Sequence, residues 1–219
     1  MSAHSALAPL EARVLGVLIE KERTVPDIYP LSLNALTAGC NQKNNRDPVM
    51  NAGEAEVQAA VDELKRRSLV IESSGSRVMR YAHNAGRALR LPEQSVAILA
   101  ALMLRGAQTS GELRIATERL HRFADISSVE AFLEELAARD QAHGGPLVAR
   151  LPRQPGEREQ RWAQLLTGPQ PMPAAATANE APSGDGSLRE QVRQLAAEVA
   201  GLRSELAELR AQLARGGGT

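Results

Sequence analysis

Aromatic residues are nearly missing. Tyr29, Tyr81, Phe123, Phe132 and Trp162 are the only five in 219 residues, so a core has to be assembled from Leu, Val, Ile and Ala, which suits small helical domains. Cysteine occurs once, at Cys40, which excludes an intrachain disulfide and a thiolate cluster for zinc. The four histidines, His4, His83, His121 and His143, fall at no metal-ligand spacing, and neither a metal nor a cofactor is expected. No apolar run approaches the roughly 20 residues of a membrane span, and the N-terminus lacks a signal-peptide core. A soluble, cytoplasmic chain that does not enter a membrane is expected. Charge of one sign is also missing: 26 basic residues face 26 acidic ones, with ten of each in residues 1–86. Nowhere is there the net positive field of a protein that holds nucleic acid mainly through its phosphates.

What is present is periodicity. "PLEARVLGVLIEKE" sets Leu10, Val14, Val17 and Leu18 on one face of an amphipathic helix, with Pro9 tolerated in its first turn. Ser32 can cap a second short helix, "LNALTAGC". "GEAEVQAAVDELKRRSLV" gives a third, with Val57, Val61 and Leu64 inward, and "LVIESSGSRVMRYAH" reads as a hairpin turning at Ser74-Gly75. Three helices and a hairpin is the winged helix-turn-helix order. That order then repeats. "PEQSVAILAALMLRG", with Val96, Leu99, Ala100 and Met103 on one face, is followed by "TSGELRIATERL" and by "SSVEAFLEELAARD", which a capping box from Ser127 to Glu130 would open. A longer hairpin, "GPLVARLPRQPGEREQRWAQLL", closes the second copy. "VQAAVDELKRR" and "VEAFLEELAAR" share their apolar pattern 72 positions apart. The expected fold is mainly α with small β-hairpin wings: one winged-helix domain over residues 1–86, another over 87–166, each with its own small core.

From about Thr167 the composition changes. Residues 167–187 are rich in Pro, Ala, Gly and Ser and read as a disordered linker. Over residues 188–215, Leu188, Val192, Leu195, Val199, Leu202, Leu206, Leu209 and Leu213 follow an unbroken 4-3 spacing, the seam of a four-heptad coiled coil. A homodimer through this helix is expected. Pairing with a different protein is the alternative.

No catalytic constellation is found: the chain has no Gly-rich phosphate loop after a strand, no GxSxG and no HExxH. Cys40 falls on the inner face of an apolar helix, where a packed thiol is expected rather than a nucleophile. An enzyme is not expected. In a winged helix the start of the third helix normally enters the major groove, yet here it carries Glu54 and Glu56, and in the second copy Glu130, Glu134 and Glu135. Carboxylates at that place repel phosphates. Basic residues gather on the wings instead: Arg77 and Arg80 on the first, Arg150, Arg153, Arg158 and Arg161 on the second. They are either phosphate contacts or the decoration of exposed strands.

One stretch stands apart. Between the second and third helices runs "NQKNNRDP", in which Asn41, Gln42, Asn44 and Asn45 supply donors and acceptors, Lys43 and Arg46 supply charge, and Asp47 starts a turn before Pro48. The run is a candidate recognition surface, exposed enough that replacing Lys43, Asn45 and Arg46 with Ala would change stability by no more than about 0.5 kcal/mol. "YPLSLNALTAGCNQKNNRDPVM", followed by "VQAAVDELKRRSLV", resembles the signature of the YceH-like family of bacterial proteins over roughly residues 8–166. The resemblance implies cytosolic tandem winged-helix proteins and brings with it no activity, ligand or catalytic residue. Two function classes follow. One is a protein-binding adapter or regulator; the other is a DNA-binding transcriptional regulator that contacts phosphates through its wings and the Lys43/Arg46 turn.

Overall fold

A computed structural model describes residues 6–73, 78–153 and 156–168. Of the expected linker only Thr167 and Gly168 are described; its remainder, the coiled-coil seam from Leu188 to Leu213, the Ser74-Gly75 turn and Arg77 lie outside the described residues. Seven α-helices and two small antiparallel sheets make up the described chain. The first half runs α1 (Pro9–Thr24), β1 (Leu31–Ser32), α2 (Leu33–Cys40), α3 (Glu54–Arg66), β2 (Val70–Ser73) and β3 (Arg80–His83). A short α4 (Ala85–Leu89) leads into α5 (Glu93–Arg105), α6 (Ser110–Ala116), α7 (Ile126–Ala137), β4 (Val148–Arg150) and β5 (Trp162–Gln164). Among the described residues no helix is long and apolar enough to cross a membrane.

Local chemistry sets the helix ends. Pro9 occupies the first turn of α1, and the Glu11 carboxylate accepts from the Ala8 amide at 3.0 Å. The Ser32 hydroxyl caps α2 by accepting from Ala35 N, and Thr109 caps α6 by accepting from Glu112 N. At α7 the expected box opening on Ser127 does not form. Asp125 is the cap, accepting from both the amide and the hydroxyl of Ser128 at 2.7 Å. A carboxylate is a strong acceptor for first-turn amides, and it brings Ile126 into the helix.

The halves repeat each other beyond their helices. In the first sheet β3 is central, pairing with β2 and with the two-residue β1, where Leu31 faces Tyr81. In the second, β5 pairs with β4, and Gln108 bridges to Trp162 just ahead of α6, as β1 precedes α2. In each half the chain entering the second helix therefore adds a third rung to the sheet.

The expectation of a separate core for each half is corrected. All described residues fall in one compact unit, and a single apolar cluster runs from Leu7 to Trp162. Its axis is α1 against α5, the most extensive packing between any two elements. Neither helix is amphipathic. Every residue from Ala12 to Ile19 and from Ser95 to Leu104 is buried, the pattern of a helix surrounded by protein. Gly16 makes the crossing close, because a Cβ there would lie 3.0 Å from Leu104 Cγ. The Leu7 amide bonds to Leu166 O at 2.7 Å and Asp47 N to Leu104 O at 2.8 Å, tying the halves further.

Candidate functional site

Residues 41–53, between α2 and α3, form a built loop rather than a loose turn. Asn41 closes it: its amide nitrogen donates to Ala52 O and its carbonyl accepts from Ala52 N, both at 2.8 Å. Asn45 takes the left-handed conformation, φ 58°, which Asn tolerates better than most residues. Two arginines fix the loop from inside. Arg13 of α1 donates to Cys40 O at 3.1 Å and to Pro48 O at 2.6 Å, leaving only its Nε without a partner. Burial first, and then the charge of Arg46, lower the Arg13 pKa.

Arg46 is the second, and here the sequence expectation fails. Its side chain is 0 % exposed. The guanidinium forms a fork with the Glu20 carboxylate at 3.1 and 2.6 Å, and also reaches Gly39 O, Asn45 O and the Gln42 side-chain oxygen. Burial pushes the Glu20 carboxyl up, but the bonds and charge of Arg46, helped by Lys21, outweigh it and hold the pKa below normal. Arg46 is therefore unavailable to a partner, and the triple alanine replacement removes a buried ion. The residue looked exposed because its carboxylate comes from α1, 26 positions upstream. A signal did exist: Arg13 and Glu20, two turns apart on one face of α1 and bracketing its apolar run, mark the face that receives the loop.

The predicted run thus divides. Asn41 and Arg46 hold the loop together, Gln42 is half engaged, and Asp47 is anchored by its backbone. Lys43, Asn44 and Asn45 remain exposed. They line a cavity of about 490 Å³ whose far wall is the end of α6 and the turn after it, Ile115 to Leu120. Lys21, Arg105 and Arg119 also face this cleft. Nothing local pointed to those three, because each sits at or just past a helix end, where a cation is ordinary.

The wing arginines are mostly spent. Arg80 donates to Ile28 O and Pro30 O at 3.2 and 2.8 Å. Arg150 pairs with Glu134 and lies 4.6 Å over the Trp162 ring. Arg161 holds Glu112 at 2.6 and 3.1 Å and Glu157 at 3.0 Å. Arg153 and Arg158 are exposed with no hydrogen bond or ion pair among the described residues. Glu54, Glu56, Glu130, Glu134 and Glu135 are all exposed on α3 and α7, as expected.

Cys40 is fully buried, and burial pushes its thiol up to about 12, a value that leaves almost no thiolate at neutral pH. Among the described residues no group of His, Cys, Asp or Glu is placed to hold a metal.

Residues 7–157 match the family model described as "Protein of unknown function, DUF480". The chain is 58% identical over 197 residues to a UPF0502 protein of Acidovorax sp., covering 88% of each chain. It is 59% identical over 204 residues to one of Methylibium petroleiphilum, covering 90% of this chain and 86% of the relative. A third, from Paraburkholderia phymatum, is 59% identical over 199 residues, covering 89% and 83%. A match spanning most of the chain, with relatives at this identity, assigns it: the chain belongs to the DUF480 family of UPF0502 proteins.

Proposed function

We propose that the chain is a non-enzymatic binding protein, an adapter or regulator built from two tandem winged-helix domains that dock another protein. The repeated order of helix, short strand, helix, helix and hairpin supports the fold, in line with the resemblance to the YceH-like family. One observation carries the choice of partner. The outward start of α3 and the outer face of α7 are acidic, and of the five described wing arginines Arg80 is bonded to backbone carbonyls while Arg150 and Arg161 are ion-paired. A groove-reading helix with that charge repels the phosphates beside it. The DNA reading keeps one specific support, Arg153 and Arg158 at the second hairpin, which have no partner among the described residues.

Salt separates the two. Titration of a random labelled duplex is expected to show binding no tighter than the non-specific range, Kd of roughly 10⁻⁴ to 10⁻⁶ M at physiological salt. A partner captured from native cytosol should survive both nuclease and raised salt. Tighter DNA binding that falls steeply with salt and is lost on Arg153→Ala with Arg158→Ala would reverse the assignment.

We further propose a parallel homodimer through residues 188–215. With Leu188 at d, the a positions are Val192, Val199, Leu206 and Leu213, a mixture compatible with two strands. In a parallel pair Glu198 at g meets Arg203 of the partner helix at e, and Glu205 meets Arg210, whereas antiparallel pairing sets like charges together. Light scattering should give the full chain twice its 23.5 kDa, and the chain cut after Gly168 should be monomeric. A monomer at tens of micromolar, or a mass ratio unchanged by the cut, contradicts the dimer.

A further inference from the structure

We infer that the cleft between the α2–α3 loop and the end of α6 binds the phosphoryl or pyrophosphoryl group of a small molecule. The inference is independent of whether the two halves dock protein or DNA.

Charge is the first observation. Lys21, Lys43, Arg105 and Arg119 face the cavity, and Glu20 and Glu118 are its only acids. Glu20 is neutralised from behind by Arg46, so the cleft carries four cations against Glu118, a net of +3, in a chain whose total is zero. The last turns of α1, α5 and α6 also reach it. Their carbonyl ends contribute about half a negative charge each, which offsets roughly half of that excess and leaves the cleft positive.

The second observation is what those cations lack. Lys43, Arg105 and Arg119 have no hydrogen bond and no ion pair among the described residues, unlike Arg46, Arg80, Arg150 and Arg161. Arg105 is half-buried, and its pKa is lowered by that burial, with Glu20 opposing and Arg46 adding to the effect. A partly desolvated cation without an acceptor is costly unless an anion completes it.

Shape and lining complete the case. The volume, about 490 Å³, lies within the ordinary range for small-molecule sites and is far too small for a duplex. Asn44 and Asn45 offer side-chain amide donors to phosphoryl oxygens. Ile115, 71 % exposed, and Leu120 give an apolar edge for the rest of the ligand. The loop is held by the Asn41 and Arg46 bonds, so binding has to order the Lys43 side chain but not the backbone that carries it, which lowers the entropic cost.

Calorimetric titration of the full chain with inorganic pyrophosphate, against chloride at matched ionic strength, tests the inference. Saturable binding is expected. Lys43→Ala with Arg119→Ala should weaken it at least about tenfold, the loss of two charge-assisted bonds. Both side chains are exposed and unpaired among the described residues, and an unchanged melting temperature of the ligand-free variant confirms that folding is intact. Arg105→Met should weaken binding by a similar factor. The inference is overturned by the absence of saturable heat up to ~10 mM, by an affinity that the variants leave unchanged, or by displacement of pyrophosphate by stoichiometric duplex DNA.

Discussion

Arg46→Ala is expected to destabilise the protein by about 3–5 kcal/mol, the usual cost of removing one partner of a buried ion pair. At roughly 2–4 °C per kcal/mol for a domain of this size, the melting temperature should fall by about 6–20 °C. The change strands the Glu20 carboxylate and releases Gly39 O, Asn45 O and the Gln42 side chain together. Glu20→Ala should be comparably harmful, because it strands Arg46. The double replacement should cost clearly less than the sum, a coupling that a double-mutant cycle reads directly. The pH dependence has a definite sign. Glu20 is held below its ordinary value of 4.5 in the folded chain, so its contribution is present above that value and is lost as pH falls through the folded one. The gap between wild type and Arg46→Ala should therefore be widest near neutrality and narrow in acid. A loss under 1 kcal/mol at pH 7 would mean that the fork does not hold the loop.

Such a role was not legible in "NQKNNRDP", and the reason is physical. A polar residue in a polar run produces no periodicity, and burial of a charge depends on a partner that the local sequence does not contain. What was legible is what local chemistry decides. The bounds and cap of α2 follow from Ser32 and from apolar spacing, and Val57, Val61 and Leu64 are buried as the helical period requires. Cys40 lies in the core as a thiol in that pattern should. Features made by contacts across tens of residues went unread. β1 is two residues long and exists only because β3 lies beside it, and the bridge from Gln108 to Trp162 has the same origin. The cleft cations were invisible for a related reason: Lys21, Arg105 and Arg119 each satisfy an ordinary rule for helix ends, and only the fold brings them together. In α1 and α5 the spacing predicts an apolar stripe, whereas the whole circumference is buried from Ala12 to Ile19 and from Ser95 to Leu104. The unbroken runs "VLGVLI" and "VAILAALML" carried that information, since a stripe facing one small core needs fewer apolar positions.

The shared core makes the last prediction. Gly16→Val is expected to destabilise both halves at once, by about 1–3 kcal/mol for overpacking. A Cβ at this position would stand 3.0 and 3.1 Å from Leu104 Cγ and Cδ2 and 3.4 Å from Met103 Cβ. A β-branched side chain adds two further carbons and has little rotamer freedom in a helix with which to avoid them. Gly16→Ala is the graded control. Its single methyl meets the same contacts but gains about 0.8–1.0 kcal/mol of helix propensity over Gly, so its net effect should be much smaller. The scarcity of aromatics provides the readout. Trp162, buried in β5, is the only tryptophan and reports on the second half, while Tyr29 and Tyr81 report on the first. If α1 and α5 form one core, tryptophan fluorescence, tyrosine absorbance and far-UV dichroism should trace a single transition in the wild type. In Gly16→Val all three should move together, although the substitution lies in the first half and Trp162 in the second. A tyrosine signal that shifts while the Trp162 transition stays in place would show that the halves unfold separately, and the core would then be two.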